Sequence, residues 1–503
     1  MIMRKLLFTL FGVSAAMAGY SQEVAWERSI GGTHSEYLFD MVPTVDYGFI
    51  LAGSSLSDKS GDKADAGGGN LDYFIWKMDK HGEEEWQMSF GADGADFLQK
   101  ITSSGDMGYL LSGTSNSGIS GVKSKESHGK NDLWLIKINA QGGIEWEKTI
   151  GGSGDDKLMT VTALDDGYII GAASNSPVSG EKTDKNKGGL DIWLIRMDKT
   201  GKILWQQTFG GYYNDEVKKI LPNENGFVVL AESNSPAGED KNLDTLGSTD
   251  VWLLQLDDSG RLLSQNVFGG ESDDRATDIL PNEDGYIITG SKQDDGNRAF
   301  WVLQTDNRFM ETDSFTHEFS GDAYMTDTFM DESGNLMLSG YKMDRRTSLK
   351  SYVSLKTNLS GDMLWDKELS TSGDDLLRKV VVTRDGGYVF AGNSNGIKSK
   401  IKTSSQGNYD YWVLKLADQV EQKVPEIKLE AIPNPTEGFT QIVLNHDYEY
   451  GELMIVNMSG QVLYREALYY DMATLDFSGY PTGVYVVSVK TDVLESSVKV
   501  IKK

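Results

Sequence analysis

Residues 146–204 decide the architecture. They open with WEKTIGG (146–152) and run on through KLMTVTAL (157–164), DDG (165–167) and YIIGAAS (168–174). The polar stretch SNSPVSGEKTDKNKGG (174–189) follows, then DIWLIRMD (191–198) and DKTG (198–201), and Trp205 starts the cycle again. Short segments rich in β-branched and aromatic residues, separated by turn-forming residues, read as four antiparallel strands. Gly167 supplies the positive φ that a tight hairpin needs.

The same pattern recurs along the chain. Trp26, Trp86, Trp146 and Trp205 are spaced by 60, 60 and 59 residues, and each is followed five residues later by Gly31, Gly91, Gly151 or Gly210. Ser264 with Gly269, Phe315 with Ser320, and Trp365 with Ser370 extend the series to seven units. A four-stranded unit repeated in series predicts an all-β propeller. The third strands, DLWLIKI (132–138), DIWLIRM (191–197) and DVWLLQL (250–256), are almost continuously apolar, as strands covered on both faces must be. Trp134, Trp193, Trp252, Trp301 and Trp412 are therefore expected between blades, not on a ligand-stacking platform. The seventh unit ends after YDYWVLKLA without its Trp-bearing outer strand, and AWERSIGG (25–32) stands alone before the first unit. Pairing the two predicts a closed seven-bladed ring over 22–418.

The face carrying the Gly turns and the long Ser/Asn loops is expected to hold any function, because the opposite face has only tight hairpins. Five residues beyond the Gly-turn position lies an acid in six units: Glu36, Asp96, Asp156, Asp215, Asp274 and Asp375, with Met325 in the sixth unit. These acids are candidate cation ligands, calcium being the ion such oxygens suit; the structural alternative is that each caps backbone N–H groups within its unit. The loops 55–71, 115–131, 174–190 and 233–249 carry further clusters, such as Asp58, Asp62 and Asp65, or Glu239, Asp240 and Asp244. Interspersed lysines favour solvated loops over calcium loops.

Composition narrows the function classes. The 503 residues include 56 glycines, 9 prolines and no cysteine, so disulfides and thiolate metal sites are excluded. The net charge of −27 argues against nucleic acid. The histidines (His34, His81, His128, His317 and His446) lack metal-ligand spacing. Gly392-Asn393-Ser394-Asn395-Gly396 fits G-x-S-x-G but lies between strands, where no nucleophile elbow forms. No catalytic residue and no cofactor other than calcium is indicated.

The N-terminus has a secretory pattern: Arg4 and Lys5, the apolar Leu6–Met17, and cleavage sites after Ala18 or Ser21. That gives a signal peptide over 1–21, and no later run is long and apolar enough for a transmembrane segment. After a polar linker (419–427), alternating strands with Gly and Pro turns predict a small Ig-like β-sandwich over 428–503. Its motifs are Pro433-Asn434-Pro435 with Gly438, Ser459-Gly460-Gln461-Val462, Pro481-Thr482-Gly483-Val484-Tyr485, and the terminal Lys499-Val500-Ile501-Lys502-Lys503. In that order these closely resemble the type A C-terminal sorting domain of type IX secretion system cargo from Bacteroidetes. The resemblance implies export by the Sec machinery, passage through the outer-membrane translocon, and removal of the domain by a sortase-like peptidase. Release, or attachment to surface lipopolysaccharide, would follow. The expected function is that of a secreted or cell-surface binding module with a glycan or protein ligand; a polysaccharide-active enzyme is the alternative.

Overall fold

A computed structural model describes residues 23–417 and 429–503, apart from 295, 384, 445–447, 449, 459, 460 and 494. The signal segment, the linker, His446 and Gly460 lie outside the described residues.

Residues 24–416 form seven four-stranded antiparallel sheets. The first blade runs Glu36–Pro43, Phe49–Ser55, Asp72–Met78 and Glu84–Phe90 from inside to outside. The blades beginning at Asp96, Asp156, Asp215, Arg275 and Asp322 repeat that order. The seventh has Asp375–Val382, Tyr388–Ser394 and Asp410–Leu416, and its outer strand is Val24–Ile30 from the other end of the chain. Ile30 stands opposite Tyr411, and Trp26 opposite Lys415. Each innermost strand packs on the innermost strand of the next blade, and the seventh packs on the first. The fold is a closed seven-bladed β-propeller.

The apolar third strands explain why the blades stack. Asp72–Met78 and Asp132–Ile138 are buried at every position. Each hydrophobic cluster draws on adjoining blades; one joins Leu110, Leu133 and Leu135 of the second to Leu158, Ile170 and Trp193 of the third. Trp134, Trp193, Trp252 and Trp412 are 0% exposed and Trp301 4%, so the indoles are core. A buried indole N–H needs an acceptor. Glu147, Gln206 and Gln265 provide it within blades two to four, at 2.9–3.0 Å. Glu27, on the N-terminal strand, does the same for Trp412 at 3.0 Å.

Ring closure uses the same contacts as the other blade boundaries. Tyr73 Oη donates to the Trp134 carbonyl at 2.8 Å, and Tyr411 Oη to the Phe74 carbonyl at 3.1 Å. Ser54, Thr114, Glu232 and Ser291 each accept an N–H from the next inner strand. At the closing boundary Asn393 takes that place: it accepts from Leu38 N–H at 2.5 Å and donates to the Leu38 carbonyl at 3.0 Å. Trp26 packs over Gly82 of the first blade, whose φ of 79° and closeness to the ring (3.0 Å from an added Cβ) both call for glycine.

Residues 429–502 form a sandwich of a three-stranded sheet (Leu429–Ile432, Phe439–Leu444, Met472–Asp476) and a four-stranded one (Gly451–Asn457, Val462–Leu468, Gly483–Thr491, Glu495–Lys502). No helix among the described residues is long and apolar enough to cross a membrane.

Candidate functional site

The six repeated acids are all fully buried, presenting no surface to the channel mouth. Each carboxylate caps its own Gly turn. Glu36 accepts from Gly32 N–H, Asp96 from Ala92, Asp156 from Gly152, Asp215 from Gly211, Asp274 from Gly270 and Asp375 from Thr371, at 2.5–2.9 Å. Hydroxyls of Ser55, Ser117, Ser176, Ser235 and Thr371 donate to five of them. Loop serines two residues beyond the second strand therefore serve the acid of their own blade.

A second carboxylate lies beside each of the first five. It heads the third strand of the preceding blade, giving the pairs Asp72–Asp96, Asp132–Asp156, Asp191–Asp215, Asp250–Asp274 and, across the closure, Asp410–Glu36. Gly91 sits so tightly on Asp72 that an added Cβ would lie 1.8 Å from its Oδ1. This explains the first glycine of the turn in the five units where an aspartate heads the preceding third strand. Burial pushes Asp72, Asp96, Asp132, Asp215, Asp250 and Asp274 above the usual carboxylate range, and Asp191, with Asp215 beside it, is pushed up to about 6. Oδ1 of Asp72, Asp132, Asp156, Asp191, Asp215 and Asp250 has no hydrogen-bond partner.

The opposing charge is a buried lysine from the loop of the same blade, a feature that sequence reading passed over as a solvated loop residue. Lys63, Lys123, Lys182 and Lys241 are at most 2% exposed, and Lys402 is 0% exposed. Each of the first four lies in the field of both acids of its blade. Lys402 Nζ is 3.1 Å from Asp410. The signal was present as Gly-x-Lys in three loops, Gly61-x-Lys63, Gly121-x-Lys123 and Gly180-x-Lys182.

The loops are folded onto the turns they follow. N–H groups of Asp62, Val122, Glu181 and Asp240 donate to the carbonyls of Gly31, Gly91, Gly151 and Gly210. Asp62 and Asp240, members of the loop clusters, accept in return from Gly31 and Gly210 N–H at 3.2 Å. Four blades thus carry an interlocked rim of turn, loop, acids and lysine, and the seventh keeps the long loop, the capping acid Asp375 and the buried Lys402.

Blades five and six break the pattern. Their second and third strands are joined by two residues (295–296) and by six (344–349) in place of the long loop. The sixth blade also corrects the sequence alignment. Met325 faces Gly340, as Leu377 faces Gly392, so the position equivalent to Asp375 is Ala323. The outer strand before it gives the reason: Asp313 faces Gln304 as Trp146 faces Lys137, so the place of the repeated Trp belongs to Asp313, two residues before Phe315, and the turn keeps its length.

Along the channel, every innermost strand carries a β-bulge at the same place. The extra residue is Phe39, Gln99, Met159, Lys218, Thr277, Thr326 or Arg378. The next position holds Asp40, Lys100, Thr160, Lys219, Asp278, Asp327 and Lys379 around the ring. Ion pairs Lys219–Asp278 (3.1 Å) and Lys379–Asp327 (2.6 Å) join successive blades there. Strand periodicity alone does not reveal a bulge, so neither ring was legible beforehand.

In the C-terminal sandwich the motif residues converge on one end. Asn434, between Pro433 and Pro435, accepts from Ile501 N–H at 2.9 Å and donates to the Lys499 carbonyl at 2.5 Å. Those two residues flank Val500, which faces Tyr485 across the sheet. Tyr485 Oη donates to the Pro481 carbonyl at 2.7 Å, Gly483 pairs with Lys502, and the Gly438 carbonyl accepts from Phe477 N–H at 2.6 Å.

Residues 430–503 match the secretion system C-terminal sorting domain family. Over 208 residues the chain is 26% identical to the regulatory protein FlaEY of Caulobacter vibrioides, covering 39% of this chain and 22% of that protein. The chain thus spans about a fifth of that relative's length. Among solved structures, Sqt1 from Chaetomium thermophilum is 11% identical (79% of this chain, all of that one, TM-score 0.41). The propeller domain of the Trilobed protease from Pyrococcus furiosus is 7% identical (79% and 99%, TM-score 0.41). PorZ of Porphyromonas gingivalis, a surface component of the type IX secretion system, is 9% identical (96% and 86%, TM-score 0.27). The fold assignment rests on strand order and ring closure, and the family match agrees with the order and convergence of the terminal motifs. The chain carries a secretion-system C-terminal sorting domain and is a type IX secretion cargo protein, secreted or displayed on the cell surface.

Proposed function

We propose that the propeller is a binding or adhesion module whose working surface is the channel mouth on the long-loop face, over blades five and six. One observation carries this reading. Turn, loop, acid and lysine are committed to one another in the first four blades, and loop, acid and lysine recur in the seventh, whereas blades five and six omit the loop and leave a gap in an otherwise continuous rim. In a repeat array, the positions released from the unit's structural task are those free to specialise. The acid pairs, each facing a buried lysine, serve as blade locks in this account, and calcium is not required.

Probing glycan and matrix-protein arrays with the secreted chain tests the reading. Saturable binding, weakened by grafting the loop 174–190 in place of residues 344–349, is the expected result. Turnover of a polysaccharide by the secreted chain, or saturable binding that the graft leaves unchanged, would overturn it.

A further inference from the structure

Arg378 is the bulge residue of the seventh blade's inner strand. Its guanidinium lies over the Phe39 ring of the first blade, 5.5 Å from the centroid. On the sixth blade Tyr341 stacks on Tyr324 with centroids 5.2 Å apart and an 18° interplanar angle. Tyr341 and Tyr352 are the groups whose fields reach Arg378, and no carboxylate is among them. Its Nε is buried without a hydrogen-bond partner, and no ion pair engages it among the described residues. Burial lowers its tendency to hold a proton.

This is an unusual arrangement for a chain with 75 acidic and 48 basic residues. Other cations of the region are neutralised: Arg298 and Arg275 by Asp273, Arg345 by Asp322, Lys350 by Asp374. A guanidinium whose Nε is buried without a partner, and which has no counter-ion, is a destabilising feature. The bulge is also the position where the repeat imposes no residue type. Arg378 remains partly accessible on its channel-lining strand, within reach of Tyr341, which lies two residues before the end of the sixth blade's second strand. Its planar fork matches a carboxylate in bidentate geometry. The neighbouring phenols of Tyr324 and Tyr341, whose hydroxyls make no hydrogen bond among the described residues, offer polar groups suited to sugar hydroxyls.

We propose that Arg378 is the anion-binding residue of a carboxylate site at the channel mouth between blades six, seven and one, and that its ligand is a uronic acid residue of an acidic glycan. This rests on the binding-module reading above and names the ligand class.

The test is calorimetric titration of the purified full-length chain with oligogalacturonate, with galacturonic acid, and with the matching neutral galacto-oligosaccharide. Saturable binding of the oligouronate, at least tenfold tighter than of the neutral sugar, is expected. Binding of free galacturonic acid as tight as that of the oligomer would identify a small carboxylate as ligand and overturn the glycan assignment. Arg378→Gln should weaken oligouronate binding tenfold or more, and Arg378→Lys, keeping charge without the fork, less. Arg378→Met should abolish binding while raising the melting temperature by about 1 °C or more, because it removes the uncompensated charge. A melting temperature lowered by Met with uronate affinity unchanged would show a purely structural arginine. Neutral glycans bound as tightly as uronates would overturn the uronate inference and leave the binding module standing; no saturable binding to any glycan or matrix protein would overturn both.

Discussion

Replacing Asp191 by Asn should stabilise the protein at neutral pH. Asp191 is fully buried, its Oδ2 accepts from Lys187 N–H, and its Oδ1 has no partner. Asp215, beside it across the blade boundary, also has an unpartnered Oδ1. Burial, with the Asp215 charge adding to it, raises the Asp191 pKa from 3.8 to about 6. A carboxyl whose folded pKa lies above its unfolded value favours folding fully only below the unfolded value. That contribution is lost as pH rises through the folded value. The window is therefore about pH 4–6, and above it the ionised group costs about 3 kcal/mol at 1.36 kcal/mol per unit. Asn removes the ionisation, retains the acceptor for Lys187, and offers an N–H to Asp215. In a propeller of roughly 400 residues, 3 kcal/mol corresponds to a melting-temperature rise of about 3–4 °C. Differential scanning calorimetry of both proteins from pH 4 to 7.5 should show that gain at pH 7.5 and a gap shrinking below about 1 °C at pH 4. A destabilised Asn variant at pH 7.5, or a gap that does not change with pH, would refute the argument. Destabilisation reversed in the parent by calcium would show a cation between the two oxygens instead.

Other outcomes follow from the same contacts. Calcium chelation should leave the melting temperature of the parent protein unchanged, and a shift on adding EDTA would contradict the lysine-locked reading of the acid pairs. Asn393→Ala, which leaves Leu38 N–H and C=O unpaired at the closing boundary, should cost about 1–3 kcal/mol by denaturant unfolding; a change under 0.5 kcal/mol would count against that role. Deleting residues 428–503 should retain the protein in the periplasm, as fractionation and immunoblotting would show, and normal secretion of the truncated chain would contradict the sorting assignment.

Much of this architecture was legible because repetition supplies its own alignment. The Trp–Gly interval counted seven units, and the unpaired AWERSIGG strand announced closure. Continuous apolar third strands by themselves place Trp134, Trp193 and Trp252 between blades. What stayed hidden depends on partners distant in sequence. Lys123 reads as one more loop lysine until the fold brings Asp96 and Asp132 around it. Asn393, inside a spurious G-x-S-x-G, meets Leu38 only when the ring closes. Bulges such as Arg378 displace a side chain by one position without altering the apolar pattern, so no period exposes them. Phe315 takes the place of the repeated Trp in the sequence count, but the strand register gives that place to Asp313, which moves the acid position from Met325 to Ala323.

Closure by the N-terminal strand can be tested most directly by a disulfide. The chain has no cysteine, and Arg28 stands directly opposite Val413, a spacing that suits a cross-strand bond. In an Arg28→Cys, Val413→Cys variant, oxidation should give an intramolecular disulfide that speeds migration on non-reducing denaturing gels and raises the melting temperature. Free thiols persisting in the folded, oxidised protein, or only intermolecular disulfides, would contradict a ring whose seventh blade is built from both ends of the propeller segment.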